Sequence, residues 1–167
     1  MASRLKIYLD TSVINFLYAY DAPEKMEITI EFFENFVKPG IYETYISKYV
    51  IAEILDHPDA AAREKLLDVI NAYYIETLVI EETEKIEMLA QEYISNGVIP
   101  EKKIADAYHI AVSVLSGINY LVSWNFKHLA NVNKEKMVKI VNLENNYPTE
   151  LRIITPLELM DYGSENI

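Results

Sequence analysis

The stretch IADAYHIAVSVLSGINYLVSWNFKH, residues 104–128, decides how the chain is read. Apolar residues recur at helical spacing from Ile104 to Leu115, and Gly117 stops the helix. Residues 120–123 form a short apolar run of the kind that lies inside a parallel sheet. Asp106 falls in the first turn of the helix, and Asn125 lies two residues past the strand. An acid in a first turn favours the helix dipole and needs no function. Its meaning therefore depends on what it faces, and the candidates are distant in sequence: Asp10 and Glu53.

Working outward, strands alternate with helices. Residues 5–9 (LKIYL) read as a buried strand, and Asp10, Thr11 and Ser12 offer N-cap residues for a helix to about Tyr20. Residues 24–38 carry Ile28, Phe32, Phe33 and Phe36 at helical spacing before Pro39 and Gly40. A second strand is expected over 41–46, with Ser47 capping a helix to Leu55. A helix over 60–73, a strand over 75–80 and a helix from a Thr83 cap to Ser95 follow. Pro100 opens the helix that holds Asp106. After the fourth strand come a short helix at 126–131, a longer one at 134–143, a fifth strand at 151–155 and a final turn at 156–160. The pattern predicts an α/β fold, a mostly parallel five-stranded sheet with helices on both faces. A single domain over residues 1–162 is expected, with 163–167 as a frayed tail.

At 167 residues, a chain of this size hides roughly 70% of its unfolded surface, enough for a real core. There are no cysteines, which removes disulfides, thiolate metal sites and thiol nucleophiles and fits a cytoplasmic setting. The N-terminal apolar run is too short for a signal peptide, and no apolar run is long enough to span a membrane. Acids outnumber bases 26 to 15, for a net charge of −11, which argues against broad nonspecific nucleic-acid binding. A local site whose acids are neutralised by a cation remains compatible with that charge. The 13 tyrosines are read as amphipathic packing.

Sites in open parallel sheets form outside the carboxyl ends of the strands. If strands one, two and four are neighbours, Asp10, Glu53, Asp106 and Asn125 converge there. Each has a plain alternative: Asp10 as a helix cap, Glu53 on a solvated face, Asp106 as a dipole partner and Asn125 in a turn. Their joint placement is what counts. Three converging carboxylates repel unless a cation is present. Oxygen ligands without cysteine suit Mg²⁺ or Mn²⁺, and Mg²⁺ is commonly held by one or two carboxylates plus substrate phosphate oxygens. Such a metal activates water and stabilises charge on phosphate. The chemistry expected is metal-dependent phosphodiester hydrolysis.

Four motifs carry a family resemblance: YLDTSVI at 8–14, SKYVIAEIL at 47–55, IADAYHIAVS at 104–113 and YLVSWNFKHLAN at 120–131. In order and spacing they resemble the PIN-domain nucleases, the fold of the VapC-type toxins. The resemblance implies strand order 3-2-1-4-5 and Mg²⁺- or Mn²⁺-dependent ribonuclease activity on RNA, usually single-stranded, leaving a 5′-phosphate and a 3′-hydroxyl. It matches Asp10, Glu53 and Asp106 to the three core acids, as catalytic residues and metal ligands. At the fourth acidic position Ser123, Trp124, Asn125 and His128 resemble the T-x-N-x-x-[D/H] variant. Asn125 would ligate metal through its carbonyl oxygen or hold a metal-bound water. Thr11, Ser12 and Ser123 would support these groups. The family also implies a homodimer and, for toxins, a protein antitoxin.

Around this set, Lys102, Lys103, Lys127 and His128 are candidates for substrate binding, with Lys134, Lys136 and Lys139 nearby in sequence. His109 shares a helix face with Asp106 and is read as a packing or helix-surface residue rather than a ligand, and His57 as a loop residue. An aspartyl-phosphate phosphatase would want a second acid where Ser12 stands, and a receiver domain would want more acids near Asp10. The alternative of another class is a PIN-like binding or scaffold module that is catalytically weak or inactive.

Overall fold

The computed structural model describes residues 3–165. Five strands form one sheet: β1 (Lys6–Leu9), β2 (Glu43–Ile46), β3 (Glu76–Thr77), β4 (Tyr120–Val122) and β5 (Arg152–Ile154). All pairings are parallel and the order is β3-β2-β1-β4-β5. The single-domain α/β fold is the one expected. β1 is central, with Tyr8 beside Tyr45 on one flank and Leu121 on the other. Ile7, Tyr8 and Leu9 are wholly buried. Each such apolar side chain contributes roughly 1.5–3 kcal/mol of burial.

The helices are α1 (Thr11–Asn15), α2 (Pro23–Phe32), α3 (Lys48–Leu55), α4 (Ala60–Ala72), α5 (Thr83–Ser95), α6 (Ile104–Leu115), α7 (Val132–Glu144) and α8 (Pro156–Glu165). Ser47 caps α3 by accepting from the Tyr49 N–H, as expected. Gly117 adopts φ +67°, the left-handed conformation that ends α6. No helix is long and apolar enough to cross a membrane. Tyr8, Tyr42 and Tyr93 belong to the core, so part of the tyrosine content is packing.

Several boundaries differ from the sequence expectation. The α-helix after β1 stops at Asn15 and tightens into a 3₁₀ turn at Phe16–Tyr18. The long second helix widens into a π turn at Phe33–Val37, closed by Lys38 N–H donating to the Phe33 carbonyl. The strand expected at 75–80 is only Glu76–Thr77. Leu78 N–H still donates to Ile46, but Val79 is exposed and leaves the sheet. Thr83 opens α5 instead of capping it. Residues 126–131 are a turn, not a helix. Asn125 carbonyl accepts from both Leu129 and Ala130, and the Asn131 side chain donates to Phe126 O and caps α7 at Lys134. The last helix runs past residue 160 to Glu165. The expected frayed tail falls partly on residues 166–167, outside the described residues.

One buried polar contact ties the two halves together. The indole N–H of Trp124, the only tryptophan, donates to Thr29 Oγ1 at 2.9 Å. Thr29 is fully buried on α2. Replacing Thr29 by valine keeps the shape and leaves the indole N–H without an acceptor, at about 1–2 kcal/mol. Urea unfolding followed by Trp124 fluorescence should show that loss; an unchanged midpoint would mean the contact contributes nothing.

Candidate active site

The chain runs outward from β1 to β2 and β3, then crosses back to β4 and β5. The order therefore reverses between β1 and β4, the place where such sheets open a crevice at their carboxyl ends. A pocket of about 370 Å³ sits there, lined by Asp10, Thr11, Ser12, Asn15, Glu53, Lys102, Lys103, Ala105, Asp106, His109 and Asn125.

Asp10 follows β1 directly, and its N–H extends the ladder to Val122 O. It occupies the N-cap position of α1, yet its side chain makes no capping bond. Its two oxygens accept instead from Ser12 Oγ and Ser123 Oγ, each at 2.5 Å. Both serines are themselves held by backbone: Ser12 Oγ accepts from Trp124 N–H and Ser123 Oγ from Asn125 N–H. Asp10 is 3% exposed. Burial pushes its pKa up to about 6; His109 and the two serines oppose the rise, and Asp106 adds to it.

Glu53 projects from α3. It accepts from Thr11 Oγ1 at 2.9 Å and makes a very short contact with His109 Nε2. Burial pushes its carboxyl up, but the His109 bond and charge and the Thr11 hydroxyl outweigh that and hold it below the usual glutamate range. His109 is buried on α6, three residues after Asp106. Its Nδ1 meets the Tyr8 hydroxyl at 2.7 Å, and that hydroxyl meets Ser47 Oγ at 2.6 Å. Burial lowers the imidazole pKa, while Glu53, Asp10 and Asp106 raise it to a net increase, which favours an imidazolium–carboxylate pair.

Asp106 is half-buried at the start of α6, and its pKa is raised by burial and by Glu53. Asn125 Nδ2 donates to its Oδ2 at 3.3 Å. The Asn125 oxygen accepts from His128 N–H at 3.0 Å. A backbone N–H can only donate, so the amide orientation is fixed and the NH₂ faces the acid.

Thus the pocket brings together Asp10, Glu53, Asp106, Asn125, Thr11 and Ser12, with Lys102 and Lys103 at its rim, and Ser123 lies buried beneath Asp10. Lys127 and His128 do not line it. His128 serves through its backbone, and Lys134 Nζ donates to the Val98 carbonyl. Three participants escaped the sequence reading. His109 is no surface residue; it bridges Tyr8 and Glu53. Tyr8 lies two residues before Asp10, on the same strand face, and a buried tyrosine hydroxyl must find a partner. Asn15 shares a helix face with Thr11.

The donor set fits a hard cation held by few protein ligands. Among the described residues no group of three acids or histidines forms a ready-made metal shell. Two acids with raised pKa, Asp10 and Asp106, nevertheless border one pocket, and Mg²⁺ is commonly completed by waters and phosphate oxygens.

The buried Asp10 also sets a pH dependence. Its native pKa of about 6 exceeds the unfolded value of about 3.9, so the native state holds the proton more tightly. The stability from that proton is full below about pH 4 and is lost as pH rises through about 6. Asp10→Asn should therefore stabilise the metal-free protein by up to about 3 kcal/mol at pH 7.5 and by no more than about 0.5 kcal/mol at pH 4. Denaturant titrations in EDTA at both pH values check this; a variant no more stable than wild type at pH 7.5 would contradict it.

Among curated proteins none matches the chain. Residues 7–134 match the PIN domain family, a span from β1 to the start of α7 that contains every residue lining the pocket. With most of its length matched and the sheet order of that fold, the chain belongs to the PIN domain family, whose members are generally nucleases.

Proposed function

We propose that the protein is a Mg²⁺- or Mn²⁺-dependent endoribonuclease that hydrolyses phosphodiester bonds of single-stranded RNA. The observation that carries this is the convergence of Asp10, Glu53 and Asp106 on one pocket at the strand-order reversal, with Lys102 and Lys103 beside them. Asp10 and Asp106 would hold the cation, with Glu53 reaching it directly or through water. A bound divalent cation there would neutralise the acids, lower the pKa of a water and stabilise charge on phosphate.

The protein's own groups then divide the work. Glu53 remains ionised at neutral pH and orients the attacking water or takes its proton. His109, fixed by Tyr8, orients Glu53 and balances its charge. Ser12 and Ser123 lock the Asp10 carboxylate. Asn125 positions Asp106 through its NH₂. Lys102 and Lys103 meet the phosphate on the approach side.

The resemblance to VapC-type toxins extends the proposal to a cytoplasmic toxin that pairs with itself as a homodimer and with an antitoxin carrying basic side chains for this acidic pocket. A second reading, a catalytically weak binding module, draws on one observation: Asn125 presents an NH₂ toward the acids where a fourth carboxylate would add charge for a metal.

Cleavage of single-stranded RNA in Mn²⁺ should fall at least about a hundredfold in Asp10→Asn and Asp106→Asn, with unchanged circular dichroism. Cleavage at wild-type rates in both variants would place the chemistry elsewhere. Millimolar Mn²⁺ should raise the melting temperature of the wild type and not of the Asp10→Asn/Asp106→Asn double variant, because a ligand bound only to the folded state stabilises it. No response in the wild type would favour the binding module.

A further inference from the structure

Beside the catalytic pocket lies a second cavity of about 490 Å³, and the exposed Asn15 borders both. The two are linked by continuous chain. α1 leaves Asp10, and the 3₁₀ turn carries it on to Tyr18, about 13 Å along the axis. The floor is aromatic: Phe16 and Tyr18 are half-buried, and Tyr20 is 71% exposed. Lys65 of α4 stands over these rings, with Nζ 3.9 Å from the Tyr18 centroid and 5.6 Å from that of Tyr20. Besides Lys65, the polar rim carries one further donor and one acceptor of fixed kind. His57 Nδ1 accepts from Asp59 N–H, which leaves the proton of the neutral ring on Nε2. Asp21 contributes a carboxylate.

We propose that this cavity is a base-stacking subsite, in which a nucleobase of the single-stranded RNA cut at the neighbouring pocket stacks on the exposed ring of Tyr20 beside the Lys65-capped Tyr18; the proposal rests on the ribonuclease reading above. Three features select a base over a phosphate or a peptide. Asp21 accepts from a base amino group, and its charge offsets the attraction of Lys65 for a phosphate. Tyr20 stands exposed next to a lysine, the combination that holds single strands without reading sequence. Continuity through Asn15 places the cavity on the path of a strand whose scissile phosphate lies among the acids. A chain of net charge −11 gains little from a long basic track, so stacking supplies grip that lysines elsewhere would provide.

The test uses the full chain, Mn²⁺ and a mixed-sequence single-stranded oligoribonucleotide carrying 4-thiouridine. Tyr20→Ala should raise KM about tenfold, since one stacked base is worth roughly 1–3 kcal/mol by alanine substitution. Tyr20→Phe should restore it, and Lys65→Gln should raise KM a few-fold. The rise in KM should persist at high salt, because stacking is not screened. Irradiation should attach the thiobase to a peptide containing Tyr18 or Tyr20. Wild-type cleavage with an unaltered KM in Tyr20→Ala and Lys65→Gln, and adducts elsewhere, would overturn the subsite, leave the ribonuclease reading standing and point to a protein segment as occupant. A wild type that cleaves no RNA in Mn²⁺ would overturn both.

Discussion

The rest of the site depends on one constraint: a carboxylate buried at the end of the central strand. β1 is flanked on both sides, and the Asp10 N–H continues its ladder to Val122. The side chain is almost wholly buried at the base of the pocket, and an ionised carboxylate in that position needs donors. Ser12 and Ser123 supply one each, and each serine is held in turn by a backbone N–H of the loop after β4. The start of α1 and that loop are consequently one unit. Trp124, whose N–H holds Ser12, also carries the loop to α2 through its indole and Thr29. A polar network this completely satisfied is rigid, because breaking any member strands another in a low-dielectric interior.

The same economy appears on the other side of the pocket. Ser47 caps α3 and also meets the Tyr8 hydroxyl, which holds His109, which holds Glu53. Core and site thus share side chains. The result separates three carboxylates of similar intrinsic acidity. Burial drives Asp10 and Asp106 toward their neutral forms, while His109 and Thr11 keep Glu53 ionised. Environments that push like groups apart are how one site assigns different roles to chemically equivalent residues.

The topology was legible because period and punctuation agree: LKIYL before Asp10, Ser47 before an apolar helix, and Gly117 between helix and strand. What was not legible came from tertiary choice. Residues 78–80 have strand composition, yet only Glu76 and Thr77 pair, since an edge strand is extended only as far as its neighbour β2 reaches. Residues 126–131 have helical spacing, but the Asn125 and Asn131 side chains and carbonyls satisfy the backbone locally in a turn. Asp10, Glu53 and Asp106 could be proposed as partners because each lies near the carboxyl end of a strand or at the start of the helix leading to one, in motifs of matching order and spacing. His109 could not be distinguished from a packing histidine, because its partners, Tyr8 and Glu53, lie 101 and 56 residues away. The aromatic cavity depends likewise on α4 folding back over the segment after α1.

The sheet's two borders have a further consequence. β3 contributes two residues, Glu76 and Thr77, both exposed, and β5 three, beginning with the exposed Arg152. A wholly parallel sheet assembles slowly, since each pairing joins residues distant in sequence, and incomplete sheets recruit further strands from other molecules. Borders this short and charged give a second copy almost nothing to template on. Exposed apolar side chains lie instead on helical faces such as those of α5 and α7, at Met88, Ile140 and Leu143.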